Sequence, residues 1–367
     1  MTRAVAAEVT PAETNSGRHR GTLRRLRAPG VLTLLTAALA ATVVAGLGMG
    51  AVDIPAGHVL AVLADRLAGI DTGVAVDSQH AEVLWAIRLP RVVLAILVGA
   101  ALGIAGAALQ GIFRNPLADP GVVGASAGAS LGASVAIVLG VSALGTMTQP
   151  VTAFLGALAA TTLVYLMSRR AGRTEVVTLL LTGLAITAVV EAAVGLLTSA
   201  ADDQELRDLT FWRLGSLGGA TWDTVTMAAP FTILAVAVLP GLARRLNVLA
   251  LGEREAGHLG VATERVRAVV VVLASMGVGA AVAAAGLIAF VGLIVPHLIR
   301  VTAGPDHRIV LPGSAVGGAL LLVGADLISR TAVAPIELPL GVITGLLGGP
   351  FFLWLLHRTR REQGGWA

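Results

Sequence analysis

The residues able to do chemistry in this chain are few, and their spacing excludes most of the chemistry they could do. Seven histidines, His19, His58, His80, His258, His297, His307 and His357, never stand in an H-E-x-x-H or comparable ligand pattern, which argues against a zinc enzyme. A Walker A loop needs a lysine on the phosphates, but all 26 basic residues are arginine, so ATP hydrolysis of that kind and Schiff-base chemistry are both excluded. Cysteine is absent, which removes disulfides and thiolate metal sites. Asp202 and Asp203 form an acidic pair with no second acidic cluster to complete a magnesium–diphosphate site, and they read as a solvated loop. Two carboxylates, Glu191 and Asp326, interrupt apolar segments, where an ionisable group is costly and therefore a functional candidate. They are the basis of an alternative reading as a proton-coupled secondary transporter. Two carboxylates do not make a proton relay, however, and Asp326 precedes Arg330 by four residues, the spacing of a helical ion pair. A membrane-embedded transferase or protease lacks a nucleophile or metal constellation altogether.

The elements that must position these residues are membrane spans. With 56% hydrophobic and 13% charged residues, the composition lies outside that of soluble domains. Apolar runs near the 20-residue length that crosses a bilayer occur at 31–50, 91–113, 121–141, 150–168, 176–199, 222–243, 266–290, 292–303, 310–330 and 340–357. The eighth is too short to cross alone. This predicts an all-α, polytopic membrane protein of about ten transmembrane helices. The membrane-spanning domain covers 29–360, between an arginine-rich arm at 1–28 that lies on anionic lipid and a tail at 361–367. Arginines concentrate in alternate loops (Arg114; Arg169, Arg170 and Arg173; Arg244 and Arg245; Arg358, Arg360 and Arg361), so the positive-inside rule places both termini in the cytoplasm. Asp71, Asp77 and Glu82, and the group from Asp202 to Asp208, then lie outside, with Trp85, Trp212 and Trp222 at outer boundaries and Trp354 at an inner one. Because the arginines are dispersed as topology requires and carry no interleaved aromatics, they are not a nucleic-acid surface.

The third span carries Gly124, Gly128 and Gly132 at four-residue intervals, a smooth ridge suited to close packing in lipid, where small residues drive helix association. Asn115, Pro116, Asp119 and Pro120 turn the chain just before it. Gly99 and Gly103, Gly313 and Gly317, and Gly341 and Gly345 repeat the device. One strongly polar connector, 246–263, offers two short helical pieces broken at Gly252 and stopped at Gly260, with Leu251, Ala256 and Leu259 as a small apolar face. Spans two and seven, both rich in alanine, valine and glycine and opposite in direction, are a weak sign of an inverted repeat.

The stretches "RLPRVVLAILVGAALGIAGAALQGIFRNPLADPGVVGASAGASLGA", "LALGEREAGHLGV", "GLIAFVGLIVPHLIR" and "ELPLGVITGLLGGPFFLWLL" together resemble the FecCD-type permease subunits of ABC importers for iron-siderophores, haem and cobalamin. The resemblance runs from about 31 to 357. It implies the type II ABC importer permease fold with an inverted-repeat core, in the cell membrane of a bacterium, with no cofactor. Its implied partners are a second permease copy or a paralogue, a cytoplasmic ATPase dimer and an extracytoplasmic binding protein. On the matching LG-x3-A-x2-LG element it implies ATPase coupling through Leu251, Gly252, Glu253, Ala256, Leu259 and Gly260. It also implies docking of the binding protein at the rim by Arg88, Arg91 and Arg330, and a place for Glu191 along the pathway.

Overall fold

The computed structural model describes residues 16–50, 52–170 and 173–362. Its helices in chain order are α1 (Ser16–Gly48), α2 (Ala56–Ala68), α3 (Ser78–Glu82), α4 (Leu89–Phe113), α5 (Ala125–Val138), α6 (Thr148–Met167), α7 (Val176–Ala200), α8 (Asp203–Leu214), α9 (Trp222–Val238), α10 (Ala243–Leu249), α11 (Glu253–His258), α12 (Thr263–Ala285), α13 (Val291–Ala303), α14 (His307–Thr331) and α15 (Leu340–Glu362). A π-helical turn, Val83–Arg88, joins α3 to α4 without a break. Among the described residues the extended structure is one pair of two-residue strands, Arg169–Arg170 with Arg173–Thr174, closing the α6–α7 connection. Seven helical segments are long and apolar enough to span a bilayer, and α5, α13 and the Leu340–Leu355 part of α15 are shorter apolar helices. Together they account for the ten expected apolar segments.

α4 is the hub. Almost its whole length is buried, against α14 on one side and α12, α13 and α9 on others. Small residues permit this. A Cβ placed on Gly99 would lie 2.3 Å from the Gly318 carbonyl oxygen, and one on Gly103 would lie 2.1 Å from that of Ser314, so the α4 and α14 backbones touch directly. Gly128 and Gly132 do the same against α6, with hypothetical Cβ contacts of 2.2 Å to Gly156 O and 2.0 Å to Thr152 O. Gly124, expected on that ridge, precedes it: with φ +84° it is the left-handed residue that ends a 3-10 turn, Pro120–Val123. The third span is therefore a turn plus a 14-residue helix. Gly345, by contrast, has nothing near it to pack against.

The second half repeats this plan. The seventh span stops at Ala285 and not at 290, because Gly286 (φ +71°) leaves the helical region. An irregular stretch follows, Phe290 takes a left-handed conformation (φ +68°), and the 13-residue α13 begins. At 1.5 Å per residue, α13 is roughly 20 Å long, short of the ~30 Å apolar thickness. A long buried helix, a left-handed residue and a short helix thus occur in both halves, as α4–α5 and as α12–α13.

Two expectations change in the structure, and one helix is present that the sequence did not signal. Residues 16–28 continue α1 as helix, so only 1–15 of the expected arm, and 363–367 of the tail, lie outside the described residues. Asp202 and its neighbours are not a loop: Asp202 caps α8 in a reciprocal box, accepting from Gln204 N and Glu205 N at 2.8 Å while Glu205 accepts from Asp202 N. α2 is an amphipathic helix whose Val59, Ala61 and Val62 are buried.

Candidate functional site

Polar residues gather at the two ends of the bundle. At one end, α10 and α11 connect α9 to α12, beside the start of α14 and the α6–α7 strand pair. Asn247 donates to Asp306 at 2.6 Å and accepts from the His307 backbone N–H at 2.9 Å, which ties α10 to the α14 N-terminus. Backbone and side-chain donors around Asp306 outweigh its partial burial and hold its carboxyl below the ordinary range. α11 is short because Gly252 (φ +134°) starts it and Gly260 (φ +78°) follows it, both in conformations that L-side chains rarely adopt. The segment presents Leu251 and Leu259 to solvent, 65% and 64% exposed, beside Glu253, Arg254 and Glu255.

Ala256 does not belong to that face. It is 0% exposed and points into the bundle, while its carbonyl accepts from Val261 N at 2.9 Å. The accessible apolar contact is the leucine pair, Leu251 before the turn at Gly252 and Leu259 at the end of α11, and Ala256 anchors the segment to its own chain. Beneath it lies Arg267, also 0% exposed. Its guanidinium donates to Glu253 at 2.6 Å, to Glu264 at 2.5 Å and to the Thr174 carbonyl at 2.7 Å.

At the opposite end, Arg88, Arg91 and Arg330 converge from the starts of α4 and the end of α14, as the sequence implied, but they are not on an exposed rim. Arg88 is 4% and Arg91 6% exposed. Arg88 donates to the Leu47, Gly48 and Val52 carbonyls. Arg91 donates through Nε to Asp326 at 2.8 Å and through both terminal nitrogens to Glu337 at 2.9 Å. Arg330 pairs with Asp326 at 3.3 Å, the expected i,i+4 contact, and donates to the Gly46 and Met49 carbonyls. Glu337 is the accessible member, with a side chain 45% exposed. The bidentate hydrogen bond from Arg91 holds its carboxyl below the usual range.

The other arginines on this side are also engaged by the chain. Arg66 lies over the Trp85 ring at 5.7 Å, Arg207 donates to Gln204, and Arg213 donates to Glu191 at 2.9 Å. Glu191 is thus no lone pathway carboxylate. It is 39% exposed, its charge is matched, and it fastens α8 to α7. Sequence reasoning gave Arg213 and Glu337 no partner, because their partners lie 22 and 246 residues away. A cavity of about 720 Å³ opens between α8 and the adjoining ends of α5, α6, α9 and α12, lined in part by Met147, Phe211, Trp212, Glu205, Asp208 and Asp223.

An all-helical membrane bundle with polar junctions at its two ends is organised as a transport subunit. The chain belongs to the FecCD transport family, whose family model matches residues 38–358. It is 49% identical over 283 residues to the hemin transport system permease protein HmuU of Yersinia pestis, covering 76% of this chain and 84% of that protein. It is 42% identical to the cobalamin import system permease protein BtuC of Halobacterium salinarum, covering 90% of each. It is 39% identical to the Fe(3+) dicitrate transport system permease protein FecD of Escherichia coli, covering 90% of this chain and 99% of that one. Among solved structures it resembles a metal-chelate type ABC transporter in an inward-facing conformation, with TM-score 0.79, 32% identity, and coverage of 90% and 99%. PsaBC of Streptococcus pneumoniae shares the fold alone, with TM-score 0.51, 16% identity, and coverage of 72% and 89%. The protein is therefore a multi-pass permease subunit of an ABC importer, and ATP hydrolysis belongs to a separate ATPase. This displaces the proton-coupled alternative.

Proposed function

We propose that this permease carries metal chelates, of the haem, cobalamin or iron-siderophore class, from an extracytoplasmic binding protein to the cytoplasm. The observation that carries the proposal is agreement along 90% of the chain with a metal-chelate type transporter, alongside permease relatives named for hemin, cobalamin and ferric dicitrate. The subunit works as a pair, with an identical copy or a paralogue. The α11 end faces the cytoplasm, as do both termini, because Arg114, Arg169, Arg244 and Arg245 lie in connections at that end. There the exposed Leu251 and Leu259 enter a groove of the ATPase, held in register by the turns at Gly252 and Gly260 and flanked by Glu253, while buried Ala256 keeps α11 seated on the permease.

At the opposite end the binding protein docks over Arg88, Arg91 and Arg330. Since these are internally bonded, a carboxylate on the binding protein reaches Arg91 by taking the place of exposed Glu337. Glu191, paired with Arg213, shapes the α7–α8 corner of the pathway and does not select cargo by a free charge. The test is uptake into vesicles holding the permease with its ATPase, supplied with the binding protein and, in turn, hemin, cobalamin or ferric dicitrate. ATP-dependent accumulation of at least one chelate is expected. Accumulation that persists without ATP, or of none of the three, contradicts the proposal.

A further inference from the structure

Among the described residues Arg267 is the largest fully buried side chain, and it stands where a membrane protein has least reason to bury a charge: near the start of α12, in its second turn, within reach of water. An arginine used only as a topological marker would extend to the lipid phosphates. This one turns inward, and its two terminal nitrogens are divided among three separate elements. One nitrogen holds Glu253 of α11 at 2.6 Å. The other is shared between Glu264, on its own helix, at 2.5 Å and the Thr174 carbonyl of the strand pair at 2.7 Å. Glu264 closes the ring by accepting from the Thr174 N–H at 3.1 Å. Thr174 lies two residues before α7, so the base of that helix is bonded to the same guanidinium as α11.

The legs of this junction differ. Glu264 is 30% exposed and works with a buried backbone pair, whereas Glu253 is 54% exposed. A planar, permanently charged fork is the group that can hold three acceptors in fixed directions, and a lysine ammonium cannot match that geometry. Removing the arginine would leave two acids and a carbonyl with no common partner.

We propose that Arg267 is a positioning residue that makes α11, the start of α12 and the base of α7 move as one body, so that displacement of α11 reaches α7 directly. The proposal rests on the reading of α11 as the ATPase contact. Glu253 is the leg that water can enter, and Glu264 with Thr174 is the one that stays closed.

The chain has no cysteine, so labelling is clean. Nitroxides on Val177→Cys, at the exposed base of α7, and Arg254→Cys, on α11, are measured by pulsed electron resonance in nanodiscs. The permease is examined alone and with its ATPase trapped by ADP and vanadate. The expected result is a single narrow distance, unchanged by trapping, when Arg267 is present. Arg267→Gln broadens it and adds a second population on trapping, while ATPase capture stays within about twofold, a difference of only a few tenths of a kcal/mol. Arg267→Lys restores the distribution in part. Should Arg267→Gln fold poorly, Glu253→Gln removes only the exposed leg and gives the same broadening. A distribution of native width in Arg267→Gln, or in Glu253→Gln where that variant stands in, overturns the proposal. Leu259→Asp in parallel separates the two ideas: if it leaves ATPase capture intact, the docking reading fails, while the distances in the permease alone still decide the role of Arg267.

Discussion

The two ends of this permease both bury arginine, yet the buried groups differ in how completely they are enclosed. At the α3 end, Asp326 is 1% exposed and stands between Arg91 and Arg330, while Arg88 donates to carbonyls and has the Asp53 carboxylate near enough to act on its charge. At the α11 end, one guanidinium meets two carboxylates, both partly open to water. The first arrangement fixes α1, α4, α14 and the 332–339 connection to one another, with one exchangeable member, Glu337. The second fastens a short external helix to the start of α12 and the base of α7 through acids that are partly exposed. A buried ion pair stabilises little relative to a hydrophobic equivalent but is expensive to break by halves, whereas a half-exposed one can hydrate. The difference therefore assigns the α3 end to a fixed scaffold and the α11 end to a junction that moves as one body.

Asp326→Ala is the most severe way to break the comparison. It leaves two buried arginines facing each other without their shared carboxylate, and by the behaviour of buried pairs that lose one partner it should destabilise the protein by about 3–5 kcal/mol. Thermal unfolding in detergent reads this as a large fall in the midpoint; an unchanged midpoint would mean the α3 end is no more rigid than the other. A smaller effect sharpens the same point. Glu337 has its carboxyl held down, mainly by the hydrogen bond from Arg91, from an ordinary value of 4.5. A depressed carboxyl contributes stability that is complete above the unfolded value and is lost as pH falls through the folded one, so the loss should appear as pH falls below about 4.5. Glu337→Gln should flatten that acid limb by removing at pH 7 the same contribution that the native protein loses only in acid. An acid limb identical to the native one would show that the Arg91–Glu337 bond is not felt.

What could be read from the sequence was whatever depends on continuous runs. The ten apolar segments, the tight turn at 115–120 and the packing of Gly128 and Gly132 all follow from local composition. The breaks did not, because Gly124 and Phe290 leave the helical region within stretches whose hydropathy never falls. α2 and α8 are too short or too polar to signal a span and were legible only as connections. In the candidate sites, residue types and their end of the bundle were legible but their orientation was not. Ala256 and Leu259 are apolar neighbours three residues apart, yet one is 0% and the other 64% exposed, which their types do not announce. Arg91 and Arg267 read as positive charges at span ends because Asp326, Glu337 and Thr174 are brought to them from 235, 246 and 93 residues away.

We propose that the ATPase acts at the α11 end, through Leu251 and Leu259. A photoactivatable benzophenone maleimide on Leu259→Cys, in a chain without other cysteines, tests it directly when the permease is assembled with its ATPase. The same reagent on Val74→Cys, exposed between α2 and α3, samples the opposite end. A covalent adduct with the ATPase is expected from position 259 and none from position 74. An adduct from 74, or none from 259 in a complex that hydrolyses ATP, would contradict the proposal.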